Sequence, residues 1–179
     1  MPRLSRLTPE TAVGASKDML AELVDRHGSV GDMVSTMAHS PAVLSGYLQL
    51  SRAMRRAKLD RRTSELVSIA VQAQQGCALC LASHVGAARA LGAGEDEIAL
   101  AHDGWSADPA VAAIVAFGVQ VYREPTSITD EQVDTLRHHG YSDREIVDVV
   151  GVVALNLLTG AFNLVAGLTP GAPSVRRKA

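Results

Sequence analysis

Residues 60–92 read DRRTSELVSIAVQAQQGCALCLASHVGAARALG. Asp60 is a helix N-cap, because its short side chain can accept the free backbone amides of the first turn. The run that follows carries no proline or glycine until Gly76, so a helix is expected to about Gln75, with Gly76 breaking it. A second helix then begins at Cys77 or Ala78 and ends near Leu91-Gly92. Two helices on either side of one glycine can pack antiparallel as a hairpin, although the sequence does not fix the angle between them.

The same grammar runs outward. Thr8-Pro9-Glu10 supplies a cap, a proline at the first helical position and an acid, predicting a helix to about His27. A short helix near Asp32–Ala38 follows, and Ser40-Pro41 opens another to about Ala57. Glu95-Asp96-Glu97 load the first turn of a helix to about His102. Asp108-Pro109 opens one to about Tyr122. Thr129-x-x-Gln132 and Ser142-x-x-Glu145 are capping boxes. The last helix is long, with a kink expected near Gly151 or Gly160. No alternating strand pattern of useful length and no solenoid repeat occurs. The fold class is therefore all-α, a single domain. An N-terminal helical arm, 1–59, precedes a core at 60–168 and a flexible tail at 169–179.

The chain has 179 residues, enough for one domain with a core. Of these, 47% are hydrophobic and only 3% aromatic, which suits closely packed helices. The formal charge is −2 at pH 7, so nothing global points to nucleic acid or a membrane surface. A basic run, Arg52, Arg55, Arg56, Lys58, Arg61 and Arg62, lacks interleaved aromatics. It reads as a solvated helix end or a dock for an acidic reductant. Ile146–Leu168 is apolar enough to raise a membrane span. Asp148, Asn156 and Asn163 interrupt it, and a helix at a subunit interface is the better reading. Asn156 and Asn163, seven apart, are expected to satisfy backbone or subunit contacts. Trp105 reads as a loop anchor. The segment Met1-Pro2-Arg3-Leu4-Ser5-Arg6 is not followed by a secretory apolar run, so the expected compartment is the cytoplasm.

Chemistry concentrates in one place. Both cysteines of the chain, Cys77 and Cys80, lie in Cys-x-x-Cys, with His84 four residues on and Glu65 twelve before. In a cytosolic chain a close pair is more often redox-active or metal-binding than structural. On one helix Cys77, Cys80 and His84 share a face. A thiol at a helix start is expected to have its pKa lowered by free N–H groups and the dipole. Glu65 lies eleven residues before Gly76 and His84 eight after. In an antiparallel hairpin they are offset by three residues, about 4.5 Å along the axis, so contact is feasible. The other histidines fall in loops or last helical turns. Two thiolates, an imidazole and a carboxylate could also bind zinc, although only three share a helix. A redox sensor or a structural α-helical oligomer are the remaining alternatives. Which cysteine attacks first stays open: helix position favours Cys77, adjacency to His84 favours Cys80.

The pattern Glu65-x11-Cys77-x-x-Cys80-x-x-x-His84 resembles the alkylhydroperoxidase-D-like branch of the carboxymuconolactone decarboxylase family. Ala90-Leu91-Gly92 and Ser142-Asp143-Arg144-Glu145-Ile146-Val147 are similar to that branch too. The resemblance covers roughly Asp60 to Leu168. It implies an all-α homo-oligomer, a trimer or a hexamer built from dimers, that reduces peroxides and is re-reduced by a thiol partner. By that resemblance Cys77 and Cys80 are the redox pair, His84 the proton carrier and Glu65 its acidic partner, with no cofactor or metal. The chain departs from the pattern at Leu79, where the best-characterised peroxidases of the family carry a second histidine. The relay is expected to be shorter as a result.

Overall fold

Side-chain caps write most of the helix starts. Ser40 accepts the Val43 amide at 3.3 Å, Asp60 the Thr63 amide at 2.9 Å, and Asp108 the Ala110 amide at 2.8 Å. Thr129 and Ser142 complete capping boxes with Gln132 and Glu145. Each cap of this kind is worth about 1 kcal/mol.

The structure is a computed structural model that describes residues 2–170 and 175–176. Its helices are α1 (Gly14–His27), α2 (Asp32–Met37), α3 (Pro41–Met54), α4 (Arg61–Gln75), α5 (Ala78–Ala90), α6 (Glu95–His102), α7 (Pro109–Arg123), α8 (Asp130–His138) and α9 (Asp143–Ala166). Two short strands, β1 (Ser29–Val30) and β2 (Val175–Arg176), pair antiparallel. Most of the tail, 169–179, lies outside the described residues.

Helix α4 is the hub. Leu66 through Gln72 are buried without a gap, so this helix is enclosed on all sides over two turns. It packs against α5, α6, α7 and α9. Leu66, Ile69, Ile114, Val115, Leu136 and Val149 fill the main core. A second apolar cluster joins α1, α2 and α3 through Leu20, Met37 and Leu44, and Phe162 of α9 packs against it.

Helix α9 spans both clusters. It is long and apolar enough to cross a membrane, the one such helix among the described residues, but its inner face packs on α3, α4 and α7. It runs as one continuous helix through Gly151 and Gly160. Gly160 serves close approach instead: a Cβ there would strike the amide oxygens of Gln72 and Gln75. Near the start of α9, Asp148 accepts the backbone amides of Lys58 (2.6 Å) and Leu59 (3.1 Å), pinning the α3–α4 connection.

Two expectations fail. The first helix begins at Gly14, not at Pro9. Thr8 and Thr11 bond each other's side chains and backbone, closing a single turn, and Val13 is extended. Local Ser/Thr-to-backbone bonds of this kind compete with helix. Trp105, expected to anchor a loop, is 55% exposed.

Candidate active site

The α4–α5 hairpin turns at Gly76, whose φ of 77° is a left-handed conformation that glycine adopts without strain. The turn folds the two helices side by side. Glu65 and His84 meet across it, Oε2 to Nδ1 at 2.7 Å, as counting about the glycine predicts. Each side chain is about a quarter exposed, 24% for Glu65 and 25% for His84. An ionised carboxylate at this distance accepts the Nδ1 proton and leaves Nε2 as the basic nitrogen.

The cysteines lie at the other end of the hairpin. Cys77 is the N-cap of α5, and its Sγ accepts the Cys80 amide at 3.3 Å. The two sulfurs are 2.7 Å apart, and both thiols are free and buried. Asn163 of α9 donates its Nδ2 to Cys80 Sγ at 3.1 Å.

Burial pushes the Cys80 thiol up to about 12, and the neighbouring Cys77 adds to it; the Asn163 and Thr159 contacts pull the other way. The sequence expectation of a lowered thiol pKa therefore fails at Cys80. The helix-start amide nearest it is already taken by Cys77 Sγ, and α9 shields the sulfur from water. Loss of hydration disfavours the thiolate more than one side-chain amide favours it.

A cavity of about 560 Å³ opens beside these groups. Cys80, His84, Glu65 and Leu79 line it, together with Tyr47 of α3 and Asn163 of α9, whereas Cys77 does not. Cys80 is thus the sulfur that faces the cavity, and Cys77 sits behind it. Among the described residues no hydrogen bond joins His84 to either sulfur. Leu79, where a second relay histidine would stand, presents an apolar wall.

Sequence reasoning missed what α9 contributes. Asn156 accepts from Gln72 Nε2 at 2.7 Å and donates to Ser68 at 2.9 Å, tying α9 to α4. Asn163 is spent on a sulfur, and its Oδ1 is buried without a partner. The available signal was two asparagines on one face of an apolar helix. Tyr47 was not singled out either; burial raises its phenol pKa, against a contact with Ser51. Among the described residues no group of three or more His, Cys, Asp or Glu side chains is arranged to hold a metal ion.

The all-α fold, with a central hairpin that brings Glu65 to His84 and pairs two cysteines beside a cavity, is alkylhydroperoxidase-D-like. The carboxymuconolactone decarboxylase family model matches residues 41–124 of this chain. The structure is similar to an uncharacterised peroxidase-related protein with an alkylhydroperoxidase AhpD core from Ralstonia eutropha JMP134 (TM-score 0.81, 18% identity, 95% of this chain and 92% of that one). It is also similar to an uncharacterised peroxidase-related protein from Silicibacter sp. TM1040 (TM-score 0.74, 18% identity, 88% and 85%). A third likeness is to the debrominase Bmp8, solved as a variant with 2,3,4-tribromopyrrole (TM-score 0.74, 15% identity, 95% and 92%). At these identities the likenesses speak for the fold. No curated protein matches the sequence.

Proposed function

We propose that the chain is a thiol-dependent hydroperoxide reductase. One observation carries this reading: Cys80 faces a cavity shared with the Glu65–His84 pair, and Cys77 lies 2.7 Å behind it, out of the cavity. A sulfur with substrate space in front and a second thiol behind suits attack followed by disulfide closure.

Cys80 attacks the terminal oxygen of the hydroperoxide and the O–O bond breaks. Sulfur is oxidised to sulfenic acid, and the alkoxide leaves as an alcohol. The thiol proton ends on that alcohol, moved by His84 across the cavity while Glu65 holds the ring tautomer. Cys77 then attacks the Cys80 sulfenic acid, forming the disulfide and releasing water. An external dithiol reduces the disulfide by exchange and is itself oxidised. Asn163 steadies the Cys80 thiolate as it forms.

The small substrate, the thiol reductant and a cytoplasmic setting belong to this reading, as does self-association. The outward face of α9 leaves Val147, Val150, Leu157, Leu164 and Val165 exposed, between 42% and 66%. An apolar stripe of that extent suits a second copy of the chain. Light scattering on Leu157→Glu tests this: the native protein should have the mass of an oligomer and the variant a smaller one. A monomeric native protein ends the idea.

The chemistry is tested by intact mass and peptide mapping after one equivalent of an alkyl hydroperoxide. Loss of two hydrogens at Cys77 and Cys80, followed by turnover with a dithiol, supports the proposal. Thiols that stay titratable after peroxide overturn it.

A further inference from the structure

The cavity has a charge pattern that the peroxide chemistry does not use. Arg55 and Arg61 line it, yet neither pairs with a carboxylate among the described residues. Their neighbours are committed elsewhere: Lys58 to Glu145 and Arg62 to Glu97. The two carboxylates that line the cavity are also engaged, Glu65 by His84 at 2.7 Å and Asp32 by Arg6 at 2.9 Å. Two guanidinium groups are therefore left to set the sign of the free charge.

Their placement follows from the helices. Tyr47, Ser51 and Arg55 line the cavity at intervals of four along and just beyond α3. Arg61, Glu65 and Ser68 line it from α4 at intervals of four and three. Arg55 follows the end of α3 and Arg61 begins α4, so both flank the connection that Asp148 pins. Counted about Gly76, Cys80 is level with Gln72, and Arg61 lies eleven residues further along α4, about 16 Å at the helical rise. Arg61 thus lies toward one end of the cavity and the sulfur toward the other, with Glu65 and His84 between, and Arg55 lines the wall contributed by α3. Met33, Met54, Leu59, Val152 and Leu155 supply apolar wall. A volume of about 560 Å³ falls in the range that encloses drug-sized molecules, far more than hydrogen peroxide needs.

The geometry points to an anionic organic hydroperoxide as the substrate: a carboxylate held at Arg55 and Arg61, an apolar chain along the methionine and leucine wall, and the peroxide at Cys80. This rests on the reductase reading and adds the class of molecule reduced. Guanidinium groups bind carboxylates through paired charge-assisted hydrogen bonds.

The test compares a long-chain fatty-acid hydroperoxide with its methyl ester, and in parallel measures octanoate and 1-octanol binding by calorimetry. The native protein should prefer the acid to the ester in kcat/KM by about tenfold or more, and octanoate to octanol by a similar factor. Arg55→Gln/Arg61→Gln should abolish both preferences, and Arg55→Lys/Arg61→Lys should restore part of them. Both sites are exposed, and circular dichroism checks that the variants are folded. If acid and ester are turned over equally and octanoate binds no better than octanol, the anion site falls while the reductase stands. If no hydroperoxide is reduced but octanoate is still preferred through the arginines, the reductase reading falls and the anion site stands.

Discussion

At the Gly76 end of the hairpin, Cys77 and Cys80 are 2% and 5% exposed; at the other, the Glu65 and His84 side chains are about a quarter exposed. The same two helices therefore hold a dry thiol pair and a wetter Glu–His pair, which the proposed reaction uses as nucleophile and proton carrier. The dry end keeps its thiol protonated, because burial outweighs the Asn163 hydrogen bond. The wet end can exchange protons with solvent. In the proposed reaction neither end is complete alone: the sulfur needs a proton taken from it, and His84 has no hydrogen bond to either sulfur among the described residues.

The largest test of this division removes the nucleophile. Cys80→Ser should lower hydroperoxide turnover with a dithiol by about a thousandfold or more, since a hydroxyl has no comparable nucleophilicity. Cys77→Ser should still give one sulfenic acid per chain, trapped by a dimedone-type reagent, without cycling. Comparable residual turnover in Cys80→Ser would mean that the sulfurs have exchanged roles.

Next comes the wet end. Glu65→Gln keeps the shape but removes the charge that holds His84, and kcat should fall by about 10- to 100-fold. Glu65 acts through His84, so the pH profile of kcat should shift as well. A uniform loss without a shift would make it a packing residue.

A third test uses pH. The folded Cys80 thiol holds its proton up to about 12, while an unfolded thiol loses it near 8.5. The folded state thus binds more protons between those values. The stability this contributes is fully present below about pH 8.5 and is lost as pH rises toward 12. The urea midpoint should fall through this window, and fall less in Cys80→Ala. Tyr141, also pushed up to about 12 by burial, acts in the same direction, so the difference between the two proteins is the informative quantity. Identical slopes would refute the dry-thiol account.

The smallest effect is expected at Asn163→Leu. It deletes the Nδ2 to Sγ bond and an orphaned buried oxygen together. Cys80 alkylation at pH 8 should slow by about threefold to tenfold, with stability changed by roughly 1 kcal/mol or less. Unchanged alkylation would assign Asn163 to packing alone.

Much of this was legible in the sequence. Asp60, Ser40, Thr129 and Ser142 announced their helices, because a cap is a local contact between a side chain and amides two or three residues on. The Glu65–His84 meeting was legible for a related reason: one glycine and two regular helices leave a single register to count. What could not be read depended on α9 arriving from about eighty residues away. Asn163 against sulfur, the shielding that raises the Cys80 pKa, and the cavity between α3, α4, α5 and α9 are all set by tertiary packing. The start of α1 failed for a local reason instead, since Thr8 and Thr11 satisfy each other and end the turn.

Asp148 gives this arrangement a developmental freedom. One carboxylate on α9 fastens the connection at Lys58 and Leu59, between Arg55 and Arg61, through contacts distinct from the one Asn163 makes to the sulfur. On the proposed reading, descent can exchange Arg55 or Arg61, and with them what is admitted, while the contacts at the cysteines stay in place, so that appetite and chemistry become separately heritable traits of one small fold.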